Sequence, residues 1–337
     1  MQIKIKQAMS LLSTCIKAKL VPMVAGSPGI GKSNIAYQLA DQYKLKVIDM
    51  RLSQCDPTDL LGFPSIVGKK AGYVPMETFP VEGDAIPEGY NGWLLFLDEF
   101  NSASTAVQAA AYKLVLDRMV GLLHLHKNVA IICAGNLETD GAIVQPMSTA
   151  LQSRLVHFEL VVDAEEWCDW AMIKGIDHRC TDYIKFKPGN LYTFSPEHTD
   201  KTYACPRTWE FANRILSQVD VSSIDLLPLL AGTLSEGVAR EFITFMKIYD
   251  SLPKMVEIQA KPETVRVPDE PSVLFALTGS LSHNMKEDNA GQLMKYVSRL
   301  PAEFQVVTLR DCVRRNKGML THAAVQKWIA ESSARLF

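Results

Sequence analysis

The most informative stretch of this chain is Gly26-Ser27-Pro28-Gly29-Ile30-Gly31-Lys32-Ser33. It matches the pattern G-x-x-x-x-G-K-[ST], in which glycines let the backbone curl so that successive N–H groups point at an anion. Lys32 would place a positive charge against phosphate oxygens, and the Ser33 hydroxyl could bind Mg²⁺. A short apolar run precedes the stretch and helical spacing follows it. The sequence therefore predicts a phosphate-binding loop between a strand and a helix.

Apolar runs of the length of buried strands recur around this loop. Because helical spacing separates the first two runs, the pattern is typical of βαβ units, which build a parallel sheet. Past about Asp163 helical patterns dominate, most clearly at residues 228–249 and 321–337. We predict an α/β core at residues 1–163 and a mainly helical lid at 164–337. The five strands predicted for the sheet are residues 21–25, 46–50, 93–97, 129–134 and 155–161.

Composition excludes several classes of protein. Lys and Arg number 35 against 37 Asp and Glu, so the net charge of −2 gives no broad electrostatic surface for nucleic acid. No apolar run approaches the roughly 18 residues of a membrane helix, and the N-terminus lacks the apolar core of a signal peptide. The seven cysteines form no C-x-x-C pair. A cytoplasmic protein with free thiols and no membrane insertion is expected.

Two adjacent acids, Asp98 and Glu99, follow the third predicted strand. Asp98 is predicted to hold Mg²⁺ together with Ser33, and Glu99 to orient and polarise the attacking water. Adjacent acids at the end of a strand are often solvated turn residues, but the phosphate-binding loop upstream favours catalysis here. Thr105 and Gln108 are predicted to form a capping box for the next helix.

Asn136 follows the fourth predicted strand, where its amide could help to orient the water near the γ-phosphate. It could equally be an Asn in a left-handed turn after Gly135, and the residue alone does not decide between these roles. Residues 51–92 are rich in Pro and Gly and read as an irregular insertion with a short hairpin near residues 69–73.

The loop, the two acids and the Asn, in this order and each at the end of a strand, resemble the AAA+ ATPases. Within that class the chain is similar to the MoxR-like branch, which is related to dynein and midasin. Three further stretches carry the resemblance, which covers most of residues 20–250: Asp56-Pro57-Thr58-Asp59-Leu60-Leu61-Gly62, Gln152-Ser153-Arg154-Leu155 and Cys205-Pro206-Arg207-Thr208-Trp209.

The resemblance implies roles for two arginines. Arg154 would be an arginine finger that reaches the nucleotide of the neighbouring subunit, and Arg207 would contact the γ-phosphate from its own lid. A guanidinium suits both roles because it is permanently charged and matches phosphate geometry with a planar fork. The alternative for each is a surface salt bridge. A finger acting in trans implies a homo-oligomeric ring, expected to be a hexamer.

The resemblance further implies Mg²⁺-dependent ATP hydrolysis that remodels or assembles a protein client, with a von Willebrand factor A-type protein as a partner. Preference for ATP over GTP comes from the family and from no particular residue. One alternative is a nucleotide-gated scaffold with negligible turnover. Another is a motor or loader acting on DNA, which the neutral net charge disfavours. A small-molecule kinase is a weaker alternative, since it leaves the two arginines unexplained.

Overall fold

The computed structural model of this protein describes residues 1–141 and 144–336, and the side chains of all of these except residues 67 and 332–336. The chain divides into two units. The first comprises Met1–Asp163 with Ser195–Glu197, and the second comprises Ala164–Phe194 with the chain from His198 onward.

Ten strands are described, all of them in the first unit. They are β1 (Gln2–Ile3), β2 (Val21–Ala25), β3 (Leu45–Arg51), β4 (Phe63–Val67), β5 (Lys70–Val74), β6 (Gly92–Asp98), β7 (Met119–Val120), β8 (Leu123–His124), β9 (Val129–Gly135) and β10 (Leu155–Leu160).

Fifteen α-helices are described. The first unit contains α1 (Ile5–Lys17), α2 (Lys32–Tyr43), α3 (Pro57–Leu61), α4 (Thr105–Leu116) and α5 (Thr149–Gln152). The second contains α6 (Ala164–Ile173), α7 (His178–Phe186), α8 (Pro206–Leu216), α9 (Leu226–Leu234), α10 (Glu236–Ile248), α11 (Met255–Ala260), α12 (Pro271–Asn284), α13 (Ala290–Val297), α14 (Ala302–Arg315) and α15 (Ala323–Leu336).

Six strands form one parallel sheet in the order β1-β10-β2-β9-β6-β3. The five strands predicted from the sequence are all present, but the predicted number was one too few. The missed strand, β1, pairs only Gln2 and Ile3 with β10 at the edge of the sheet. Two residues are too short to show the alternation or the apolar run by which a strand is recognised.

The central strand β6 shows why the core forms here. Its residues 94–97 are all 0% exposed, because the parallel sheet is covered on both faces. Trp93, Leu95 and Leu97 join the apolar cluster that includes Val107 and Leu114 of α4. Since side chains alternate along a strand, residues 94 and 96 face the opposite side.

The strand order decides where the polar residues meet. In a parallel sheet all carboxyl ends lie at one edge, and β2, β9 and β6 are consecutive neighbours. The segments that leave these strands carry the phosphate-binding loop, Asn136, and the two acids Asp98 and Glu99. Residues far apart in the chain are thereby brought to one edge, where ligands bind in open α/β sheets.

Two local predictions around the core have different outcomes. The hairpin expected near residues 69–73 is present, since β4 and β5 pair as antiparallel strands. The capping box of α4 was placed one residue too late. The N-cap is Ser104, whose hydroxyl accepts a hydrogen bond from Val107 N, and Thr105 is the first helical residue. Gln108 is buried and donates to Ala103 O, so its side chain does not cap the helix.

The second unit is helical in the residues described. The helical stretch predicted at residues 228–249 is two helices, α9 and α10, which are separated at Ser235 because that residue has a φ of 81°. Among residues 1–141 and 144–336, none of the helices has the length and apolarity to cross a membrane. The assignment of this unit as a nucleotide lid stays a prediction.

His178, the first residue of α7, is expected to make the stability of the second unit depend on pH. Its ring stacks on His283 at 4.6 Å and meets the edge of Tyr249 at 5.4 Å. Burial lowers the pKa of His178 from 6.5 to about 4, although Asp177 opposes the shift. As the pH falls below 6.5, His178 becomes protonated in the unfolded chain but stays neutral in the folded one. The free energy of unfolding therefore decreases between pH 6.5 and about 4.

We therefore expect His178→Phe, which keeps a ring in the stack, to lose less stability on acidification than the wild type. The difference is up to about 3 kcal/mol at pH 4. Thermal unfolding of both proteins from pH 4 to 7 measures it, with the exposed His124→Gln as control. Parallel pH curves for wild type and His178→Phe would contradict the prediction.

Candidate nucleotide-binding site

The predicted phosphate-binding loop connects β2 to α2. Gly29 and Gly31 have φ values of 78° and 100°, a region that favours glycine, and Gly31 is the residue that precedes α2. Gly26 is needed for a different reason, because a Cβ there would lie 2.5 Å from Ile30 Cδ1 and 3.1 Å from the carbonyl oxygen of Leu160. The loop therefore has the curled backbone and helix N-terminus that suit a phosphate.

Side chains predicted separately from the sequence meet at this loop. Lys32 Nζ donates hydrogen bonds to Gly26 O at 2.5 Å, to Ser27 O at 3.1 Å and to Asn136 Oδ1 at 3.1 Å. Ser33 Oγ donates to Asp98 Oδ2 at 3.2 Å. The loop, the first acid and the Asn are thus joined by direct contacts.

Ser33 and Asp98 fit Mg²⁺ by the chemistry of their donors. A hydroxyl and a carboxylate oxygen within 3.2 Å of each other are hard ligands of the kind Mg²⁺ prefers. In the chain outside residues 142, 143 and 337, no cluster of three or more His, Cys, Asp or Glu side chains could hold a metal alone. A Mg²⁺ ion here would therefore take its remaining ligands from phosphate oxygens and water, as is usual for this ion.

Glu99 leaves the strand in an unusual backbone conformation, with a φ of 54°. Its carboxylate accepts a hydrogen bond from Ser53 Oγ, and its backbone N donates to Asp98 Oδ1 at 2.8 Å. Ser53 lies just beyond β3, the strand that pairs with β6. Ser53 was not predicted, because it belongs to no motif; its place just past a predicted strand was the only signal in the sequence.

Asn101 is a second residue of the site that no sequence motif indicates. It is 6% exposed, and both ends of its amide bind the backbone of Asn136. Asn101 Nδ2 donates to Asn136 O at 2.7 Å, and Asn136 N donates to Asn101 Oδ1 at 3.1 Å. Asn101 lies two positions after the acids, but no spacing rule links it to a residue 35 positions away.

Gly135 packs against Asn101 so closely that the site cannot accept a side chain there. A Cβ on Gly135 would lie 2.2 Å from Asn101 Oδ1 and 2.6 Å from Met23 Cε. We expect Gly135→Ala to lower the free energy of unfolding by about 1–3 kcal/mol, the usual cost of overpacking. Urea unfolding measures this, with Gly189→Ala, where a Cβ meets nothing within 4 Å, as control. Equal stability of the two variants would contradict it.

The two predicted arginines belong to segments of the chain that carry none of the residues of this cluster. Arg154 is exposed and follows α5; its guanidinium donates to Ala150 O at 2.5 Å and lies 5.0 Å above the ring of Tyr112. Arg207 is exposed in the first turn of α8, in the second unit. Their roles toward a nucleotide stay predictions.

Comparisons with known proteins bear on the first unit. The family profile of the AAA domain (dynein-related subfamily) matches residues 22–155, which include the loop, both acids, Asn136 and Arg154. None of the curated proteins compared with the chain matches it.

Solved structures resemble the chain at low sequence identity. RuvB of Thermotoga maritima, a Holliday junction branch migration motor, is 16% identical with a TM-score of 0.37, covering 82% of this chain and 80% of RuvB. A candidate ATPase of Cytophaga hutchinsonii is 13% identical with a TM-score of 0.38, covering 98% of this chain and 88% of that protein. These scores bear on neither substrate nor partner. By its sheet, its loop and the matched profile, this chain has the AAA+ P-loop fold, and the profile that matches residues 22–155 is that of the AAA domain of the dynein-related subfamily.

Proposed function

We propose that this protein hydrolyses ATP in a Mg²⁺-dependent reaction as a subunit of a homo-oligomeric ring and uses the cycle to remodel a protein client. The observation that carries the proposal is the convergence of Lys32, Ser33, Asp98 and Asn136 at the carboxyl edge of adjacent strands. AAA domains act on ATP in general, which supports ATP as the nucleotide.

Each residue has a role that its chemistry permits. The backbone of Gly26–Ser33 and the Lys32 ammonium bind the phosphates, while Ser33 and Asp98 hold Mg²⁺. When bound, Mg²⁺ neutralises negative charge that builds up on the phosphate oxygens. Glu99 orients the attacking water and accepts its proton, and Asn136 donates from its amide to hold the water or the γ-phosphate.

The ring follows from the proposed role of Arg154. This side chain is exposed beside α5, which leaves it accessible to a neighbouring subunit. AAA+ proteins usually form oligomers, and the proposed ring is a hexamer of MoxR-like type. Arg207 would act in it as a second sensor of the nucleotide. The proposed partner is a von Willebrand factor A-type protein in the cytoplasm.

The loop is tested by Lys32→Ala. We expect ATP affinity to fall by about 10- to 100-fold, because a charge-assisted hydrogen bond to phosphate is lost. Titration with a fluorescent ATP analogue in Mg²⁺ measures the Kd, and the exposed Lys17→Ala serves as a matched control. Wild-type affinity in Lys32→Ala would mean that ATP binds elsewhere.

Turnover separates the proposal from its rivals. A nucleotide-gated scaffold would bind ATP with the same residues but show no turnover above that of a Glu99 variant. A DNA motor would show ATPase activity stimulated by duplex or branched DNA, with binding that weakens steeply as salt rises. Stimulation by a protein client but not by DNA supports remodelling.

A further inference from the structure

A buried amide links the turn that carries the acids to the end of the neighbouring strand. Asn101 lies in the short 3-10 turn of residues 100–102, directly after Asp98 and Glu99. It binds both backbone polar groups of Asn136 at 2.7 and 3.1 Å, and its own carbonyl accepts a hydrogen bond from Gln145 N at 2.7 Å. The side chain of Asn101 therefore joins its turn to the end of β9, and its backbone carbonyl joins the turn to a third segment of the first unit.

This pair of bonds restrains Asn136 more strongly than one bond could. The N–H and the C=O of a residue lie on either side of its Cα, so holding both limits rotation about φ and ψ and sets the direction of the Cα–Cβ bond. The Asn136 side chain points from that fixed Cα toward the loop, where Oδ1 lies 3.1 Å from Lys32 Nζ.

Gly135, the residue before Asn136, allows the Asn101 amide to come close enough for these bonds. Because Gly135 has no Cβ, the Asn101 amide can lie against it; a Cβ on residue 135 would be 2.2 Å from Asn101 Oδ1. A buried amide is costly unless its donors and acceptors are satisfied, and here the backbone of Asn136 satisfies one donor and the acceptor. The amide therefore fits this backbone position specifically.

We propose that Asn101 is a positioning residue for ATP hydrolysis: it holds Asn136 in register with Asp98 and Glu99, so that the amide and the carboxylates face the same reacting atoms. The proposal rests on the proposed function. Asn101 reaches the reaction only through Asn136, because its own amide is buried against the backbone. Misplacement of a catalytic group by about 1 Å can cost about 100-fold in rate.

The test compares Asn101→Leu, which keeps the branched shape and removes both bonds, with the wild type. We expect kcat to fall by about 10- to 100-fold while the KM for ATP changes by less than about threefold. Gln108→Leu is the matched control, since it removes another amide of a residue that is 6% exposed, one that donates to Ala103 O and Gln145 O and not to Asn136. The control is expected to keep kcat within about threefold of wild type.

A double-mutant cycle distinguishes positioning from a general structural effect. In an Asn136→Ala background the amide is already gone, so adding Asn101→Leu should lower kcat by less than about twofold. Equal losses in both backgrounds would overturn the proposal. If Asn101→Leu fails to fold, Asn101→Asp keeps the acceptor for Asn136 N but loses the donor to Asn136 O, and the same cycle is run with it.

The inference and the proposed function fail in different ways. Wild-type kcat in Asn101→Leu, with turnover lost in Glu99→Gln and Asn136→Ala, overturns only the role of Asn101. Wild-type kcat in Asn136→Ala also overturns it, because there is then no amide to position. Wild-type turnover in Glu99→Gln overturns the proposed function itself.

Discussion

Glu99→Gln is expected to bind ATP with wild-type affinity and to hydrolyse it about 10²- to 10⁴-fold more slowly, the range that a general base contributes. The amide keeps the size of the side chain and can still accept the hydrogen bond from Ser53 Oγ. It cannot accept a proton from water, so the loss should appear in kcat. Asp98, which faces Ser33, is unchanged, so Mg²⁺ and nucleotide binding should survive.

Steady-state phosphate release and the Kd of a fluorescent ATP analogue, measured on the same preparation, test this prediction. The matched control is Glu88→Gln, an exposed acid of the same unit, which should hydrolyse ATP at the wild-type rate. Undiminished turnover in Glu99→Gln would overturn the proposed function, because hydrolysis would then not depend on the general base assigned to this site. Equal, near-zero turnover in wild type and variant would favour the scaffold alternative.

Arg154→Ala is expected to lower kcat by about 10³-fold or more while leaving the oligomer intact, as the loss of an arginine finger does. Among the residues that the structure describes, the guanidinium contacts neutral groups: it donates to Ala150 O and Ser153 Oγ and lies over the face of Tyr112. Removing it should therefore cost little stability. Mass measurement in the presence of ATP, alongside turnover, tests both halves of the expectation.

Mixing two inactive variants tests whether Arg154 acts in trans. In rings that combine Arg154→Ala with Glu99→Gln subunits, some sites have an intact Glu99 on one subunit and an intact Arg154 on the next. Such mixtures should recover turnover that neither variant shows alone. Mixtures that stay inactive would indicate that Arg154 serves its own subunit. Arg240→Ala, an exposed arginine paired with Glu236 in the second unit, is the control for loss of a surface guanidinium.

Local sequence was sufficient for most elements because each has a signal within a few residues. The apolar run of β6, the glycines of the loop and the acids at the strand end were all predicted in place. Predictions failed at β1, whose two residues are too few to show the alternation of a strand. They also failed at the start of α4, where Ser104 and Thr105 are both suitable N-cap residues.

From local sequence we could predict that a glycine-rich loop, two acids and an Asn each follow a buried strand, because strand length, turn chemistry and helix spacing are local properties. Which of those strands are neighbours, and so which side chains touch, became known from the folded sheet. Asn101 and Asn136 meet across 35 residues, and Ser53 meets Glu99 across 46, because the sheet places β6 between β9 and β3. No local pattern encodes that order, since it depends on how the whole unit buries its apolar surface.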